Sequence, residues 1–395
     1  MPDDDLLYLD HAATTPVDAR VLDAMLPYFQ GGYGNPSSRY SLGMEALQAV
    51  SSARALVAEL LNAAKPPEII FTSCGSESDN LAIRGVAQAL RGKGQHIITS
   101  MVEHHAVSHT CQQLEREYGY EVTYLPVDRY GMVDPASVAA AIRPDTVLAS
   151  IIYANNEVGT IQPLAEIGAI AREHGVLLHS DAVQAAGHLP IDVQALQVDL
   201  LSISGHKFYA PKGVGALYVR DGVLCQPQQT GGSQEFGLRA GTENVPYIVG
   251  LATALELACA EQLSEAQRLA TLRDRLIDGV LAAIPQAYLT GHPAQRLPGL
   301  ASFVFDGIDG EAAQLHLDMN NIACSTGSAC ASSEAAASHV LSAMGVQGRL
   351  ALSALRFSMG RSTTPETIDR LLEALPGIVA RLRALSPYYQ PAKAH

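Results

Sequence analysis

The chain contains few lysines and no cluster of basic residues. Of its 26 basic residues only five are lysine, at positions 65, 93, 207, 212 and 393, so any chemistry that needs a side-chain amine has five candidates. Its 40 acidic residues give a formal net charge of -14 at pH 7. Because no run of Lys or Arg is present, we do not expect a nucleic-acid-binding groove.

Membrane and metal signals are absent as well. No stretch approaches the length of about 18 apolar residues that a membrane span needs, and the acidic start MPDDDLLYLD lacks the pattern of a signal peptide. The six cysteines form neither a CxxC pair nor a Cys/His zinc spacing. We therefore expect reduced thiols, no membrane association and a cytoplasmic location.

Short apolar segments rich in β-branched residues recur between residues 68 and 220, with helical patterns between most of them. These seven predicted strands are 68–73, 96–100, 122–125, 147–153, 176–179, 200–204 and 216–220. The alternation predicts an α/β domain with a mainly parallel sheet. Amphipathic segments at 248–262, 265–283 and 365–385 follow, with strand-like pieces at 301–305 and 354–358. They predict a second, smaller α+β domain.

Polar residues follow the predicted strands, at the edge where open α/β sheets bind ligands. They are Cys74-Gly75-Ser76, Glu103-His104-His105, Asn155-Asn156-Glu157, the run from Asp181 to Gln184, and Gly205-His206-Lys207. A ligand site is therefore expected at the carboxyl edge of the sheet.

Gly75 and Ser76 lie at the predicted start of a helix that runs through 80–91. Free backbone amides and the helix dipole at such a position favour a phosphate group. The segment is not a P-loop, and no GxGxxG follows the first strand. An ordinary serine cap is the alternative interpretation.

Lys207 is the most informative lysine, because it ends a buried apolar strand in SISGHKFYAPKG. Desolvation disfavours an ammonium ion, so an amine at such a position could be neutral and form a Schiff base. Lys65, Lys93 and Lys393 lie in loop or terminal contexts, and Lys212 is the only nearby competitor. The alternative is a lysine that only extends its amine to solvent.

Asp181 follows the predicted strand VLLHS. A carboxylate at that point could keep a pyridine nitrogen protonated, as pyridoxal phosphate chemistry requires, and Gln184 could reach the phenolic oxygen of the ring. A helix N-cap is the alternative role for Asp181.

His105 and His109 have the i,i+4 spacing of some zinc sites. The zinc hydrolase motif requires a Glu directly after the first His, and Ala106 stands there instead. We therefore expect no metal and assign His104 to stacking on an aromatic cofactor.

Two further residues suggest chemistry in the C-terminal third. Cys330 lies in GSACAS, where small side chains favour a mobile loop that could carry a nucleophile; a small buried hydrophobe is the alternative. Cys324 could pair with Cys330 or share its role. Arg356 alternates with apolar neighbours on a predicted strand and could bind a substrate carboxylate, or form a structural ion pair.

Together these motifs resemble the pyridoxal phosphate-dependent cysteine desulfurases of the class V aminotransferase family, which supply sulfur for iron–sulfur clusters. The resemblance covers nearly the whole chain, and SGHK, GSAC and RFS in this order are highly specific. The matching segments are YLDHAATTPVD (8–18), GNPSS (34–38), FTSCGSESDNLAI (71–83), ITSMVEHHAV (98–107), NNEVG (155–159), DAVQAAG (181–187), SISGHKFYAPKGVGALYVR (202–220), RAGTENV (239–245), GSACAS (327–332) and LRFSMGR (355–361). The chain departs from the family at Tyr40, where His is frequent, and at Cys74 in the phosphate loop.

The resemblance implies the fold type I of pyridoxal phosphate enzymes, with a mainly parallel seven-stranded sheet in a large domain and a smaller α+β domain. We place the large, cofactor-binding domain at 16–262. The small domain comprises 1–15 and 263–395 and carries the cysteine loop of the longer-loop group. A homodimer is implied, in which Thr242 of one subunit reaches the cofactor phosphate of the other.

The resemblance also implies individual roles. Lys207 would bind pyridoxal 5'-phosphate as a Schiff base and move the Cα proton, and His104 would stack on the ring and act as acid or base for the substrate thiol. The other cofactor contacts would be Gly75, Ser76, Ser204 and His206 at the phosphate, Asp181 at the ring nitrogen, and Asn156 and Gln184 near the phenolic oxygen. Arg356, with Asn156, would bind the substrate. Cys330 would take sulfur from L-cysteine as a persulfide.

The expected activity is therefore conversion of L-cysteine to L-alanine, with the persulfide passed to an acceptor such as an iron–sulfur scaffold protein. A selenocysteine lyase or a related aminotransferase is the alternative enzyme. A non-catalytic sulfur-transfer scaffold has no use for Lys207, Asp181 and Arg356 together.

Overall fold

The computed structural model describes residues 5–327 and 337–390, so Cys330 and Lys393 lie outside the described residues. The α-helices in these ranges are α1 (Ala19–Met25), α2 (Pro27–Gln30), α3 (Ser41–Leu60), α4 (Gly75–Ala89), α5 (His105–Tyr118), α6 (Pro135–Ala141), α7 (Leu164–Glu173), α8 (Val245–Ala283), α9 (Gly310–Asp318), α10 (His339–Ala343) and α11 (Pro365–Leu385). The strands are β1 (Leu7–Tyr8), β2 (Ile69–Thr72), β3 (His96–Ser100), β4 (Glu121–Leu125), β5 (Thr146–Ser150), β6 (Leu177–Asp181), β7 (Leu200–Ser204), β8 (Gly215–Val219), β9 (Ala287–Thr290), β10 (Leu300–Phe305), β11 (Ile322–Ala323) and β12 (Ala354–Ser358).

The largest sheet has seven strands in the order β2-β8-β7-β6-β5-β3-β4. The five strands from β7 to β4 are mutually parallel, and β8 is antiparallel to both of its neighbours. Every residue of β3, β5 and β7 is buried, as in parallel strands that helices cover on both faces. The predicted mainly parallel seven-stranded sheet is confirmed.

Helices α4 and α5 both begin at the carboxyl edge of this sheet, because each follows a strand and returns across the sheet. Helix α4 starts at Gly75, immediately after the extended residue Cys74. This agrees with the predicted start of the helix at Gly75 and Ser76. Helix α5 starts after His104, whose side chain caps it.

A second sheet is antiparallel and has the order β12-β10-β9. Its core contains the fully buried rings of Phe303, Phe305 and Phe357. This confirms the predicted strands at 301–305 and 354–358, and β9 is an additional strand. The short strands β1 and β11 form a parallel pair beside it.

Helix α8 spans 39 residues, where the sequence predicted two helices at 248–262 and 265–283. The prediction of a break was wrong, because Ser264 donates its hydroxyl to the Glu261 carbonyl within the helix instead of capping a new one. The first half of α8 packs in the core of the large sheet and the second half in the core of the small sheet. The predicted domain boundary at 262/263 therefore falls inside a continuous helix. Within the described ranges, no helix has both the length and the apolar composition needed to cross a bilayer.

The segment from Leu9 to Thr15 joins the two sheets. Leu9 accepts a backbone hydrogen bond from Ser358 on β12 at 2.8 Å, and His11 donates its Nδ1 hydrogen to the Ser358 carbonyl at 3.1 Å. Further along, the Thr15 amide donates to the His206 carbonyl at 2.9 Å, just after β7. The start of the chain thus fixes β12 relative to the end of β7.

A buried ion pair stabilises the loop that precedes α8. The Arg54 guanidinium donates two hydrogen bonds of 2.7 Å to the two carboxylate oxygens of Glu235. Glu235 also accepts a hydrogen bond from the Phe71 amide at 2.9 Å, and both charged residues are buried. This loop leads to Thr242.

Removal of Arg54 should destabilise the chain strongly, because Glu235 would be left as a buried carboxylate without its partner. We expect Arg54→Ala to lower the free energy of unfolding by about 3–5 kcal/mol, measured by urea unfolding. Arg54→Lys should lower the free energy of unfolding by less, because lysine keeps the charge although it cannot form both hydrogen bonds.

Lys65→Ala is the matched control, since it breaks the fully exposed Lys65–Asp221 pair and should change stability very little. Equal unfolding free energies for the Arg54→Ala and Lys65→Ala variants would contradict the importance of the buried pair.

Candidate active site

A cavity of about 510 Å³ lies at the carboxyl edge of the large sheet. Ten of the predicted site residues line it, namely Gly75, Ser76, His104, Asn156, Asp181, Gln184, Ser204, His206, Lys207 and Arg356. Two predicted residues are not among them. Cys330 lies outside the described residues, and Thr242 is exposed on the surface of the chain. Gly327 and Ala337, which flank the undescribed segment, both line the cavity.

Lys207 ends a short 3-10 turn that directly follows β7. Its amine donates hydrogen bonds to the backbone carbonyls of Ala12 (2.7 Å) and Ala13 (2.8 Å). No sequence pattern could have identified these two partners, because any residue type offers the same carbonyl group. The amine is thereby oriented in the cavity by the segment that joins the sheets.

Two buried carboxyl groups, Asp79 and Asp181, lie near each other at the floor of the cavity. Asp181 ends β6 and accepts a hydrogen bond from the Val183 amide at 2.9 Å. Burial raises the pKa of Asp181, although His104, the Val183 amide and Lys207 counteract this. Burial and the charge of Asp181 raise the pKa of Asp79 well above its ordinary value. Of the pair, Asp79 is the one whose protonated form is favoured more, and Asp181 is the one whose ionised form is supported by His104 and Lys207.

Asp79 was not predicted as a site residue. It lies four residues after Gly75 on α4, and this i,i+4 spacing puts both residues on one helix face. The spacing was visible in the sequence and could have identified it. Behind Asp79 lies His179, whose pKa burial lowers to about 3, so that ring is neutral.

His104 has a defined tautomer. Its Nδ1 accepts a hydrogen bond from the Ala106 amide at 3.1 Å, which caps helix α5. A backbone N–H can only donate, so Nδ1 carries the lone pair and the proton of the neutral ring is on Nε2. The ring lines the cavity close to Asp181 and can offer an Nε2–H donor there.

The start of α4 can accept a phosphate. A β carbon on Gly75 would lie 2.6 Å from Val183 Cγ2, so only glycine lets the helix approach the strand ends this closely. The first amides of a helix have no intrahelical acceptor. Ser76, Ser204 and His206 line the same part of the cavity. Burial, followed by the charges of Lys207 and Lys212, lowers the pKa of His206 to about 4, so its ring is neutral.

Arg356 forms an ion pair, which is the second of the two roles that its sequence position suggested. It donates to Asp10 at 2.8 Å and to the Asn156 carbonyl at 2.8 Å. Its buried Nε has no hydrogen-bond partner among the described residues. Since a guanidinium carries five N–H groups, an ion pair with Asp10 leaves capacity for a second carboxylate. Gln184 donates to the Ala12 carbonyl at 2.8 Å and keeps its amide oxygen at the cavity.

Two glutamates of the cavity were named at the strand ends but were assigned no role. Burial raises the pKa of Glu103 to about 8, although the Ser100 hydroxyl and the Ile152 amide donate to it. Burial raises the pKa of Glu157 to about 7, with Ser338 and Arg356 counteracting the shift. Both acids are therefore partly or mostly protonated near neutral pH.

His104, His105 and His339 line the cavity, and a further histidine, His109, stacks on His105. The rings of His105 and His109 stack with centroids 4.6 Å apart, and the ring of His339 is 4.7 Å from that of His105. Burial, followed by the charges of His339, His109 and His104, lowers the pKa of His105 to about 4. Sequence spacing identified the first pair but could not reveal His339, which comes from α10.

Within residues 5–327 and 337–390, possible metal ligands cluster at one place. One group of three, Asp79, His104 and Asp181, has its ligand atoms within 4.8 Å of one another. Two of these residues are the ones that the sequence assigned to a cofactor ring, so the group belongs to this site.

Cys324 does not have the environment of a reactive thiol. It is buried beside β11, and burial raises its pKa to about 12, followed by the charge of Asp10. A thiol with this pKa stays protonated at neutral pH and is a poor nucleophile. The role that it could share with Cys330 is therefore not supported.

The residues present fit pyridoxal 5'-phosphate. The cavity holds an oriented amine (Lys207), a buried carboxylate that could pair with a ring nitrogen (Asp181) and an imidazole beside it (His104). It also contains Gly75 at the start of α4, the part of the site that can accept a phosphate. Lys207 could form the Schiff base, Asp181 could pair with the pyridinium, and the start of α4 could bind the phosphate.

Known proteins agree with this assignment. The aminotransferase class-V family matches residues 7–371. The cysteine desulfurase IscS of Methanosarcina thermophila is 55% identical over 96% of this chain and 94% of its own. A solved NifS-like protein has a TM-score of 0.90 and 40% identity, covering 95% of this chain and 100% of that one. The structure of SspA in complex with cysteine has a TM-score of 0.80 and 38% identity, covering 89% and 98%. The chain therefore belongs to the aminotransferase class-V family and, within it, to the cysteine desulfurases.

Proposed function

We propose that the cavity at the carboxyl edge of the large sheet is the site at which this cysteine desulfurase converts L-cysteine to L-alanine. The observation that carries the proposal is the convergence of Lys207, Asp181, His104 and Arg356 on one cavity from separate parts of the chain. The likeness to a structure described as SspA in complex with cysteine supports the same substrate.

Enzymes of this family use pyridoxal 5'-phosphate, which supplies a carbonyl for an amine and a ring that accepts the electrons of a substrate Cα. Lys207 would hold it by its amine, Asp181 by the ring nitrogen, and His104 by stacking. Its phosphate would contact Gly75, Ser76, Ser204 and His206, with Asn156 and Gln184 near the phenolic oxygen.

Each of three side chains of the cavity has its own task with the substrate. The Lys207 amine moves the Cα proton of L-cysteine, since it is the base that two carbonyls orient in the cavity. Arg356 holds the substrate carboxylate with the N–H groups that Asp10 and Asn156 leave unused. His104 donates from Nε2, because Nδ1 is occupied by the Ala106 amide.

Cys330 is the proposed sulfur acceptor within the chain. Its thiolate would attack the sulfur of the substrate, so that a sulfur–sulfur bond forms and the carbon–sulfur bond of L-cysteine breaks. The electrons of the broken bond remain on the substrate Cβ, which takes a proton. The balance is one L-cysteine and one thiol in, and one L-alanine and one persulfide out.

A homodimer would bring Thr242 to the phosphate of the partner. Thr242 is exposed in the single chain, and the nearby Tyr247 ring packs 6.2 Å from the Phe29 ring. Phe29 belongs to a group of exposed apolar side chains on α1 to α3, which also includes Leu22, Leu26, Tyr33 and Met44. An apolar surface of this kind next to Thr242 favours burial against a second copy.

Three further predictions remain as proposals. The domains would comprise 16–262 and 1–15 with 263–395. The protein would act in the cytoplasm. The persulfide would pass to an acceptor protein such as an iron–sulfur scaffold, and the acidic surface of the chain makes nucleic acid an unsuitable direct recipient.

Lys207→Ala should abolish the yellow absorption of the Schiff base and lower the rate of alanine formation by about 10²–10⁴-fold. Borohydride reduction followed by peptide mass spectrometry should place the cofactor on Lys207 in the unmodified chain. Lys212→Ala is the control, because this neighbouring lysine is exposed and should keep both properties. An unchanged spectrum in Lys207→Ala would refute the proposed attachment.

Cys330→Ser should retain the absorption of the bound cofactor and lose persulfide formation, because a hydroxyl cannot replace the thiolate as nucleophile. Trapped persulfide is measured by mass spectrometry after addition of L-cysteine. The control is Cys324→Ala, which removes a buried thiol and should still form the persulfide. Full activity of Cys330→Ser would show that the nucleophile is elsewhere. Parallel assays with L-selenocysteine test the selenocysteine lyase alternative.

Thr242→Val should weaken cofactor binding by about 10- to 150-fold, as expected for loss of a hydrogen bond of about 1.5–3 kcal/mol to a charged group. Mixed dimers of Lys207→Ala and Thr242→Val chains provide the test. If Thr242 acts across the dimer, one site of each mixed dimer keeps both residues and binds cofactor tightly. Mixed dimers without a tight site would mean that Thr242 acts in its own subunit or not at all.

A further inference from the structure

One carboxylate oxygen lies against both ends of the undescribed segment 328–336. The Ser338 hydroxyl donates a short hydrogen bond to Glu157 Oε2. A β carbon on Gly327 would lie 3.6 Å from the same oxygen. In sequence, Gly327 stands three residues before Cys330, and Ser338 stands eight residues after it. A single side chain therefore bonds to one flank of the segment that carries the proposed nucleophile and lies close to the other flank.

The position of Glu157 is itself firmly held. Asn155 Oδ1 accepts hydrogen bonds from the backbone amides of Glu157 and Val158, both at 2.9 Å. The Asn155 side chain also donates to the Val102 carbonyl at 2.9 Å and is fully buried. Glu157 thus extends from a turn that is tied to the neighbouring strand end of the large sheet.

Ser338 links the position of Glu157 to the following helix, α10. Its hydroxyl oxygen accepts the Leu341 amide at 3.1 Å and caps α10, while its hydrogen goes to Glu157. Val340 and Leu341 are buried in a small core with Val158. Because one hydroxyl makes both bonds, the start of α10 and the Glu157 carboxylate are fixed relative to each other.

The N-terminal flank of the segment is connected to the turn that carries Glu157 through Arg356. Ser325 exchanges two backbone hydrogen bonds with Arg356 on β12, at 3.1 and 2.7 Å. Arg356 in turn donates to the carbonyl of Asn156, next to Glu157. Its charge favours the ionised form of the buried Glu157. The two flanks therefore converge on the turn from Asn155 to Glu157.

We propose that Glu157 is a positioning residue that acts through Ser338 and holds the two flanks of the Cys330 segment at the edge of the cavity. The proposal rests on the proposed function, since it assigns Cys330 as the sulfur acceptor. Glu157 would influence the transfer of sulfur to Cys330 and leave the removal of the Cα proton by Lys207 unaffected.

Two rates separate these steps in the holoenzyme. Exchange of the Cα hydrogen of L-alanine in D₂O reports proton transfer and does not involve Cys330. Single-turnover persulfide formation from L-cysteine reports sulfur transfer. Glu157→Ala should slow persulfide formation by about 10²-fold, the order that a displacement of about 1 Å can cause. Its exchange rate and cofactor spectrum should remain close to those of the unmodified enzyme.

Conservative and control variants test whether the Ser338 bond is the cause. Glu157→Gln keeps an oxygen that accepts from Ser338 and should restore most of the persulfide rate. Ser338→Thr should behave similarly, because it keeps the hydroxyl. Ser342→Ala is the matched control on α10: it removes a hydroxyl that bonds to the Ser338 carbonyl and should change neither rate. The double variant Glu157→Ala with Ser338→Ala should form persulfide only slightly more slowly than Glu157→Ala alone.

Two results would overturn the proposal. One is a normal persulfide rate in Glu157→Ala. The other is an equal loss of hydrogen exchange and persulfide formation, which would mean that Glu157 supports the whole cavity. Failure of the proposed function itself would look different, because the unmodified enzyme would then form no persulfide on Cys330.

Discussion

Two backbone carbonyls hold the Lys207 amine, and much of the site depends on the segment to which they belong. Ala12 and Ala13 follow Asp10, which binds Arg356, and His11, which bonds to β12. A carbonyl accepts a hydrogen bond but carries no full charge. Each carbonyl therefore contributes to the direction in which the amine points. The same short segment thus sets the direction of Lys207 and the distance between Lys207 and Arg356.

The second constraint is the number of acids around this cavity. Burial raises the pKa of Asp79, Glu103, Glu157 and Asp181. Like charges cannot all persist in a buried volume, so protons remain on the acids that have no cation beside them. His104 and Lys207 lie near Asp181 and favour its ionised form. The start of α4, where a phosphate would bind, is different, since the one acid in the first turn of α4, Glu77, is paired with Arg239 at 2.8 Å.

Sequence patterns revealed the parts of this arrangement that follow from local periodicity. Buried strands have recognisable apolar runs, and the residues that follow them must meet at one edge, so Lys207 and Asp181 could be placed together. Partners that are far apart in the chain leave no such pattern. The Glu157–Ser338 bond joins residues 181 positions apart, and the partners of Lys207 are carbonyls that every residue type has. Helix α8 was divided wrongly because its two halves were taken as separate amphipathic segments, whereas packing in two cores keeps the helix continuous.

Continuity of α8 has a functional consequence, because the site is built across both sheets. Lys207 and Asp181 extend from the large sheet, and Arg356 extends from the small one. A shift of one sheet against the other would leave each core intact and still move Arg356 away from Lys207. The bonds that cross between the sheets, Asp10 to Arg356 and Arg356 to the Asn156 carbonyl, therefore contribute more to the geometry of the reaction than to the folding of either sheet. Their polar character fits this role, since a directional bond fixes a distance that apolar packing alone would leave adjustable.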